Sequence, residues 1–379
     1  MPSAACQFTV DELSNWKLVE HFQSVLLPRL AASDPVPSEL DPRRRLAAAD
    51  YFSLHLFRLL NPLVNSMRGL CAATKFRKMR QVCEHPVSTA AFSEAQHLFN
   101  PELLGQIVRE LATQARGTVE FGDAQVRAAV ATLTLVDGTV LRAVNRMAWA
   151  PASGSGCAIR LNLHFSAFDQ IPLDWSITPG KTSELKEWRK MIQPGSFHVG
   201  DRLYSENHLH LKQLQKERVD FVVRLKGNVI RSARGEPAAL SVEDQQAGVV
   251  SDQMEELGCL GGGPVLRIVE IHAEGRVLVL ATTRQDLPAA LIGLIYRYRW
   301  QIELFFKWFK TMLPCQHWLA ESPAGVTIQI YCVMIAALLL LLWTGQRPTK
   351  RQMEALRFYW AGFIEADELL AALASQKKK

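Results

Sequence analysis

The sequence predicts an α/β chain: a helical N-terminal region, a mixed-sheet core with a β-rich insertion, and a helical end. Three observations carry that prediction. From Asp11 to about Ala129, apolar residues recur at helical spacing with basic residues between them. At Val130 the pattern changes to short β-branched runs separated by helical stretches, in the order three strands, helix, strand, helix, strand. That order calls for an α/β layer with a mixed sheet. Residues 228–282 then bring glycine-rich turns and strand-like runs before helix resumes after Pro288.

Length and composition set the limits of the reading. The chain has 379 residues, enough for two or three domains, and 48% hydrophobic with 21% charged residues describes a globular protein, not a disordered one. A net charge of +6 and a pI near 8.9 lean toward a polyanionic partner. The basic residues are clustered at Arg43-Arg44-Arg45, at Lys75 to Arg80, between Tyr296 and Lys310, and at Lys377-Lys378-Lys379, which together point to nucleic acid. Seven cysteines form no CxxC pair and no zinc-like spacing with histidine, as expected of reduced thiols in a cytoplasmic protein. The N-terminus has no basic segment followed by an apolar one, so no secretory signal is expected. The apolar run Ile330 to Trp343 is 14 residues long, short for a membrane span and suited to a buried core helix.

Taken in order, Asp11 to Leu30, Ser53 to Cys83 and Asn100 to Ala115 read as helices, with Pro35 to Pro42 as a separator. Residues 1–129 are therefore a helical domain, either DNA-binding or a dimerisation module. Residues 130–227 form the first part of the core. A strand ends at Asp137, Ala152 to Gly156 is a hairpin-like loop, and strands follow at Ala158 to Phe165 and Leu173 to Thr178. Next come a helix from Ser183 to Met191, a strand from Phe197 to Gly200, a helix from Asn207 to Glu217 and a strand from Asp220 to Leu225. Residues 228–282 are the insertion, 283–345 the rest of the core and 346–379 a helical tail. Gly261 to Gly263 lacks the Lys-Ser/Thr of a phosphate loop, and His208 and His210, two apart on one helix, read as surface residues on different faces.

The stretch YRYRWQIELFFKWFK, residues 296–310, contains no Pro or Gly. On a single helix, Tyr296, Arg299, Glu303, Lys307 and Lys310 would share a strip about 80° wide. One carboxylate then lies among cations and a phenol. An ordinary Arg299–Glu303 pair accounts for this, and so does a carboxylate that ligates a metal while its neighbours hold phosphates. Asp137 and Asp201 each sit next to glycine at the end of a predicted strand, where a side chain can project over the sheet edge. Two strand-end aspartates and a helix glutamate would make an all-oxygen site suited to two Mg²⁺ or Mn²⁺ ions, the arrangement used in phosphodiester chemistry.

Tyr296-x2-Arg299-x3-Glu303-x6-Lys310 matches the YREK signature of bacterial insertion-sequence transposases of the DDE type, the group headed by insertion sequence four. Asp201-Arg202-Leu203-Tyr204 resembles that family's second-aspartate motif and Asp137-Gly138-Thr139 its first, with Leu203 standing where relatives often have a small residue. The resemblance spans roughly Val130 to Leu342. It implies an RNase H-like core, metal-dependent cleavage at transposon ends and transfer of a 3′-hydroxyl into target DNA. Asp137, Asp201 and Glu303 would be the catalytic residues holding two Mg²⁺ or Mn²⁺ ions. Tyr296, Arg299 and Lys310, with Lys307 on the same strip, would contact phosphates, and Arg202 and Tyr204 are further candidates for DNA contact. Terminal inverted repeats and target DNA would be the partners, with a homodimer in the synaptic complex and a cytoplasmic, nucleoid-associated location in a bacterium. A catalytically silent derivative that only binds DNA would be expected to lack one of the acids, and all three are present.

Overall fold

Local propensity and tertiary packing resolve into alternating helix and strand in the computed structural model, which describes residues 10–33, 46–119, 121–258, 261–273, 275–313, 318–347 and 349–374. A 3₁₀ turn at Val10–Leu13 precedes α1 (Asn15–Ala32), α2 (Ala48–Leu60), α3 (Met67–Ala73), α4 (Thr89–Ala95), α5 (Glu102–Ala115) and α6 (Ala124–Ala129). The first strands are β1 (Thr134–Arg142), β2 (Ala158–Ser166) and β3 (Pro172–Pro179), then α7 (Glu184–Met191), β4 (Phe197–Gly200), α8 (His208–Lys216) and β5 (Asp220–Arg224). The segment after it holds β6 (Arg231–Ala233), α9 (Val242–Gln246), β7 (Val249–Leu257), β8 (Val265–Ala273) and β9 (Arg276–Thr282). The chain closes with α10 (Ala289–Arg297), α11 (Trp300–Met312), α12 (Pro323–Thr344), α13 (Lys350–Trp360) and α14 (Ala366–Ala374). Arg43 to Arg45 and Lys377 to Lys379 lie outside the described residues.

Two compact units emerge, and they do not follow chain order. The first comprises Met1–Val119, Leu141–Ile159 and Lys307–Lys379, the second Glu120–Val140 and Arg160–Phe306. In the first, α12 is the core. Ser322 caps its start by accepting the Gly325 N–H, Pro323 occupies the first turn where no N–H is needed, and Gly345 ends it with φ 63°. It packs against α1, α2 and α5. Gly105 on α5 permits the approach, since a Cβ there would lie 3.3 Å from the Tyr331 ring. By length and composition α12 could cross a membrane, yet 89% of its most apolar window is buried within the protein, as a core helix would be. Its one buried polar side chain, Gln329, clamps the preceding loop, accepting the Leu319 N–H and donating to the carbonyls of Ala320 and Gly325, each at 3.0 Å.

The second unit is built on a nine-stranded sheet in the order β3-β2-β1-β4-β5-β9-β8-β7-β6. β1 pairs with β4 in parallel through Thr134↔His198 and Leu135↔Val199, and β4 pairs with β5 in parallel from Phe197↔Asp220 to Gly200↔Val223. From β5 onward the pairing is antiparallel, through β9, β8, β7 and β6. The β-rich segment therefore continues the sheet of the core through the β5–β9 pairing and does not stand apart from it. Trp188, Tyr204, Leu211, Leu214, Phe221 and Ile268 fill a core cluster in this unit.

Three expectations need correction. Ser53 to Cys83 is not one helix: α2 ends at Leu60 before Asn61-Pro62, and α3 and a 3₁₀ turn at Arg77–Gln81 follow. β1 does not end at Asp137 but runs on to Arg142, because β-branched and apolar residues continue past the Asp-Gly pair. Residues 296–310 are not one helix either. The chain tightens at Tyr298 and Arg299, whose N–H groups reach the carbonyls of Ile295 and Tyr296 at 3.1 Å, and α11 begins afresh at Trp300. The cause is tertiary: the Tyr298 hydroxyl accepts the Asp123 N–H, and Gly122, at φ 121°, makes room for the ring.

Replacing Gln329 with Leu keeps the volume and leaves the Leu319 N–H and Ala320 C=O buried without partners, so it should cost about 1–3 kcal/mol in urea unfolding. An unchanged midpoint would show that the clamp contributes nothing.

Candidate active site

Parallel pairing between β1 and β4 stops at Leu135↔Val199, two residues before Asp137 on one strand and two before Asp201 on the other. Each aspartate thus lies just beyond the β1–β4 pairing, Asp137 still within β1 and Asp201 directly after β4. The Asp137 carboxylate accepts the N–H of Gly138 at 2.8 Å. The Tyr296 hydroxyl, from the last turn of α10, lies 3.5 Å from the Asp201 carboxylate. Arg299, in the break between α10 and α11, pairs with Glu303 in the first turn of α11 at 2.5 Å, and its guanidinium lies 5.7 Å from the Tyr296 ring. So the helix break, which the sequence hides, still delivers Tyr296, Arg299 and Glu303 to one place.

Charge acts between several of these groups. Burial pushes the Asp137 carboxyl up to about 7, with the Glu184 carboxylate as the next cause and Glu303 adding to it, while the Gly138 N–H and Arg299 oppose the shift. Arg299 in turn lies in the fields of Glu303 and Asp201. Acidic side chains with too little positive charge among them are what a divalent cation relieves, and the donors are hard oxygens. Asn162 adds a buried Oδ1 with no partner, 3.0 Å from where a Cβ on Gly138 would sit. The residues fit a divalent cation in chemistry. In the present side-chain positions no group of three His, Cys, Asp or Glu among the described residues is close enough to hold one, and Arg299 occupies Glu303.

The remaining expected residues separate. Arg202 is exposed and lines, with Asp201, Glu206, Arg224 and Lys226, a cleft of about 530 Å³. Tyr204 does not fit DNA contact: it is 2% exposed, packed edge-on against Trp188 at 4.9 Å, and its hydroxyl donates to Glu184 at 2.7 Å. Leu203, the departure from the family motif, is half-buried against the core cluster beneath. Lys307 and Lys310 are exposed on the later turns of α11, at i+4 and i+7 from Glu303, and belong to the first unit. His210 is not a surface residue: it is buried against Trp188, which lowers its pKa to about 4. Sequence reasoning missed Glu184, Arg160 and Asn162. Glu184 looks like an ordinary acid in a helix first turn, and only the tertiary fold brings it to Asp137.

Because the folded state holds the Asp137 proton more tightly than an unfolded chain, whose carboxyl titrates near 4, this group loses stability for the protein as pH rises from about 4 through 7. Asp137→Asn, in EDTA, should therefore be more stable than the parent above pH 7, by roughly 2–4 kcal/mol, and the gain should shrink toward pH 4. A gain independent of pH would contradict the burial of a titrating carboxyl there.

The family model for the Transposase DDE domain matches residues 129–339, a domain that generally works with divalent metal ions. A protein named as a transposase, y4zB, from Sinorhizobium fredii (strain NBRC 101917 / NGR234), is 27% identical over 237 residues, covering 60% of this chain and 65% of its own. A protein named as a transposase for insertion sequence element IS5377, from Geobacillus stearothermophilus, is 25% identical over 260 residues, covering 68% of this chain and 66% of its own. The chain thus spans just under two thirds of the length of these curated relatives. With more than half of its length inside the family model, the chain belongs to the Transposase DDE domain family.

Proposed function

We propose that this protein is a DNA transposase that cleaves strands at the ends of an insertion sequence and joins the freed 3′-hydroxyl to target DNA. The observation that carries the proposal is the match of residues 129–339 to the Transposase DDE domain, and it is supported by the Tyr296–Asp201 contact, the Arg299–Glu303 pair and the charge of Glu303 acting on Asp137. The core reads as RNase H-like: β1 lies between β2 and β4, and β1, β4 and β5 run parallel. The spacing of Tyr296, Arg299, Glu303 and Lys310 supports placement in the insertion-sequence-four group with its YREK signature.

Asp137, Asp201 and Glu303 are the residues that would hold two Mg²⁺ or Mn²⁺ ions. Such ions, when bound, activate the attacking oxygen and stabilise the leaving one. Burial raises the Asp137 carboxyl to about 7, so cation binding there would be coupled to loss of its proton. Arg299 has a buried Nε with no partner, a donor suited to a phosphate oxygen once its grip on Glu303 loosens. Tyr296 offers a hydroxyl on the Asp201 side. Arg202 at the cleft beside Asp201 is a candidate phosphate contact, and Lys307 and Lys310, exposed on the later turns of α11, are candidates in their own right.

Phosphate contacts do not read sequence, so recognition of the terminal inverted repeats is assigned to the helical region of residues 1–129. There the turn from Lys75 to Arg80 exposes Lys75, Arg77, Lys78 and Arg80. Synapsis of two ends requires at least two protomers, which we take to be a homodimer on DNA. The work would be done at the bacterial nucleoid, and residues 130–345 would form the catalytic core, with 228–282 as its β-rich part and 346–379 as the tail.

A Mg²⁺-dependent cleavage assay on DNA carrying the element's ends tests this. Glu303→Gln should reduce strand cleavage by at least about 10³-fold while retaining end binding, since it removes a ligand of the reacting centre and leaves the cationic surface intact. Equal cleavage by parent and variant would remove Glu303 from the mechanism.

A further inference from the structure

We infer that Glu184 is a positioning residue for the acidic site: its carboxylate bridges Arg160 and Tyr204 and thereby fixes Asp137 and Asp201 relative to one another. The inference rests on the reading of Asp137 and Asp201 as cation ligands.

Glu184 opens α7, the helix that follows β3. Its side chain is 9% exposed and each oxygen has its own partner: Oε2 accepts from Arg160 of β2 at 2.7 Å, and Oε1 accepts from the Tyr204 hydroxyl at 2.7 Å. Arg160 also donates to the Gly180 carbonyl at 3.2 Å, which fixes the loop that leads into α7. A buried carboxylate with both oxygens engaged is costly to disturb, and a Glu that merely favoured the helix N-terminus would need neither partner.

Each end of this bridge touches the backbone beside one aspartate. A Cβ on Gly138, the residue after Asp137, would lie 2.7 Å from the Glu184 carboxyl carbon and Oε2. A Cβ on Gly200, the residue before Asp201, would lie 2.8 Å from the Tyr204 ring. Neither glycine has a positive φ, so it is close approach, not backbone conformation, that excludes a side chain at both positions. The Glu184–Tyr204 pair therefore braces the Asp137-Gly138 step from one side and the Gly200-Asp201 step from the other. Trp188, one turn further along α7, packs on Tyr204 at 4.9 Å and holds that ring in place.

The test uses the full chain without DNA and reads Mn²⁺ affinity by calorimetry beside thermal unfolding. Tyr204→Phe removes the bridge without changing any charge. It should fold and bind Mn²⁺ roughly 10–100-fold more weakly, the loss typical when a partner of a metal ligand is removed. Glu184→Gln should lose affinity as well, and the double variant should lose little beyond the larger single effect, because both substitutions break one bridge. Folded Tyr204→Phe protein with parental Mn²⁺ affinity would overturn the inference and leave Glu184 a stabilising ion pair only. Asp137→Asn separates the two levels. If it abolishes Mn²⁺ binding while Tyr204→Phe does not, only the positioning role fails. If parent and Asp137→Asn bind Mn²⁺ alike, the reading of the acids as cation ligands fails, and the inference with it.

Discussion

Burial of a carboxyl beside other carboxylates is the constraint on which the acidic site depends. Burial is the main penalty on Asp137, the charge of Glu184 comes next and that of Glu303 adds to it. Such a cluster persists only where the surrounding structure over-determines it and where nearby cations offset it. Arg160 supplies that offset behind the sheet through Glu184, and Arg299 supplies it in front through Glu303. Arg160 also donates to the Gly180 carbonyl, and each of the two arginines keeps a buried Nε without a partner.

Topology brings Asp137 and Asp201 near one another, each two residues past the last β1–β4 pair. In a parallel segment, strand ends on the same side of the sheet coincide, so residues just past β1–β4 pairing are neighbours whatever their separation in the chain. The break between α10 and α11 then turns three residues of a discontinuous helix toward that edge. Close packing does the rest: glycines on either side of the aspartates let Glu184 and Tyr204 come within contact distance of the backbone. The same unit extends through β9 into an antiparallel meander, so the edge that carries the acids is backed by a nine-stranded sheet.

Much of this was legible in one dimension. β4 was expected at Phe197 to Gly200 and lies there, α7 and α8 lie within a residue of their expected spans, and α5 starts beside Asn100-Pro101, because caps, prolines and hydrophobic period are local signals. The extension of β1 beyond Asp137 was missed because an Asp-Gly pair ordinarily marks a turn. The helix break at Tyr298 and Arg299 was missed because its cause is a hydroxyl meeting the backbone of Asp123, 175 residues away. For the same reason Tyr204 looked like a surface candidate beside an aspartate, and Glu184 looked like a helix-start acid: burial and the pairing between them exist only in three dimensions. Asp137, Asp201 and Glu303 could be singled out from the sequence, but the charges that surround them could not.

The most direct measurement is a crystal structure of the full chain soaked in Mn²⁺, with anomalous scattering recorded at the manganese edge. The account predicts manganese peaks beside the carboxylates of Asp137, Asp201 and Glu303, with Arg299 turned away from Glu303. Peaks elsewhere, or none at this site with the Arg299–Glu303 pair still closed at saturating Mn²⁺, would contradict it.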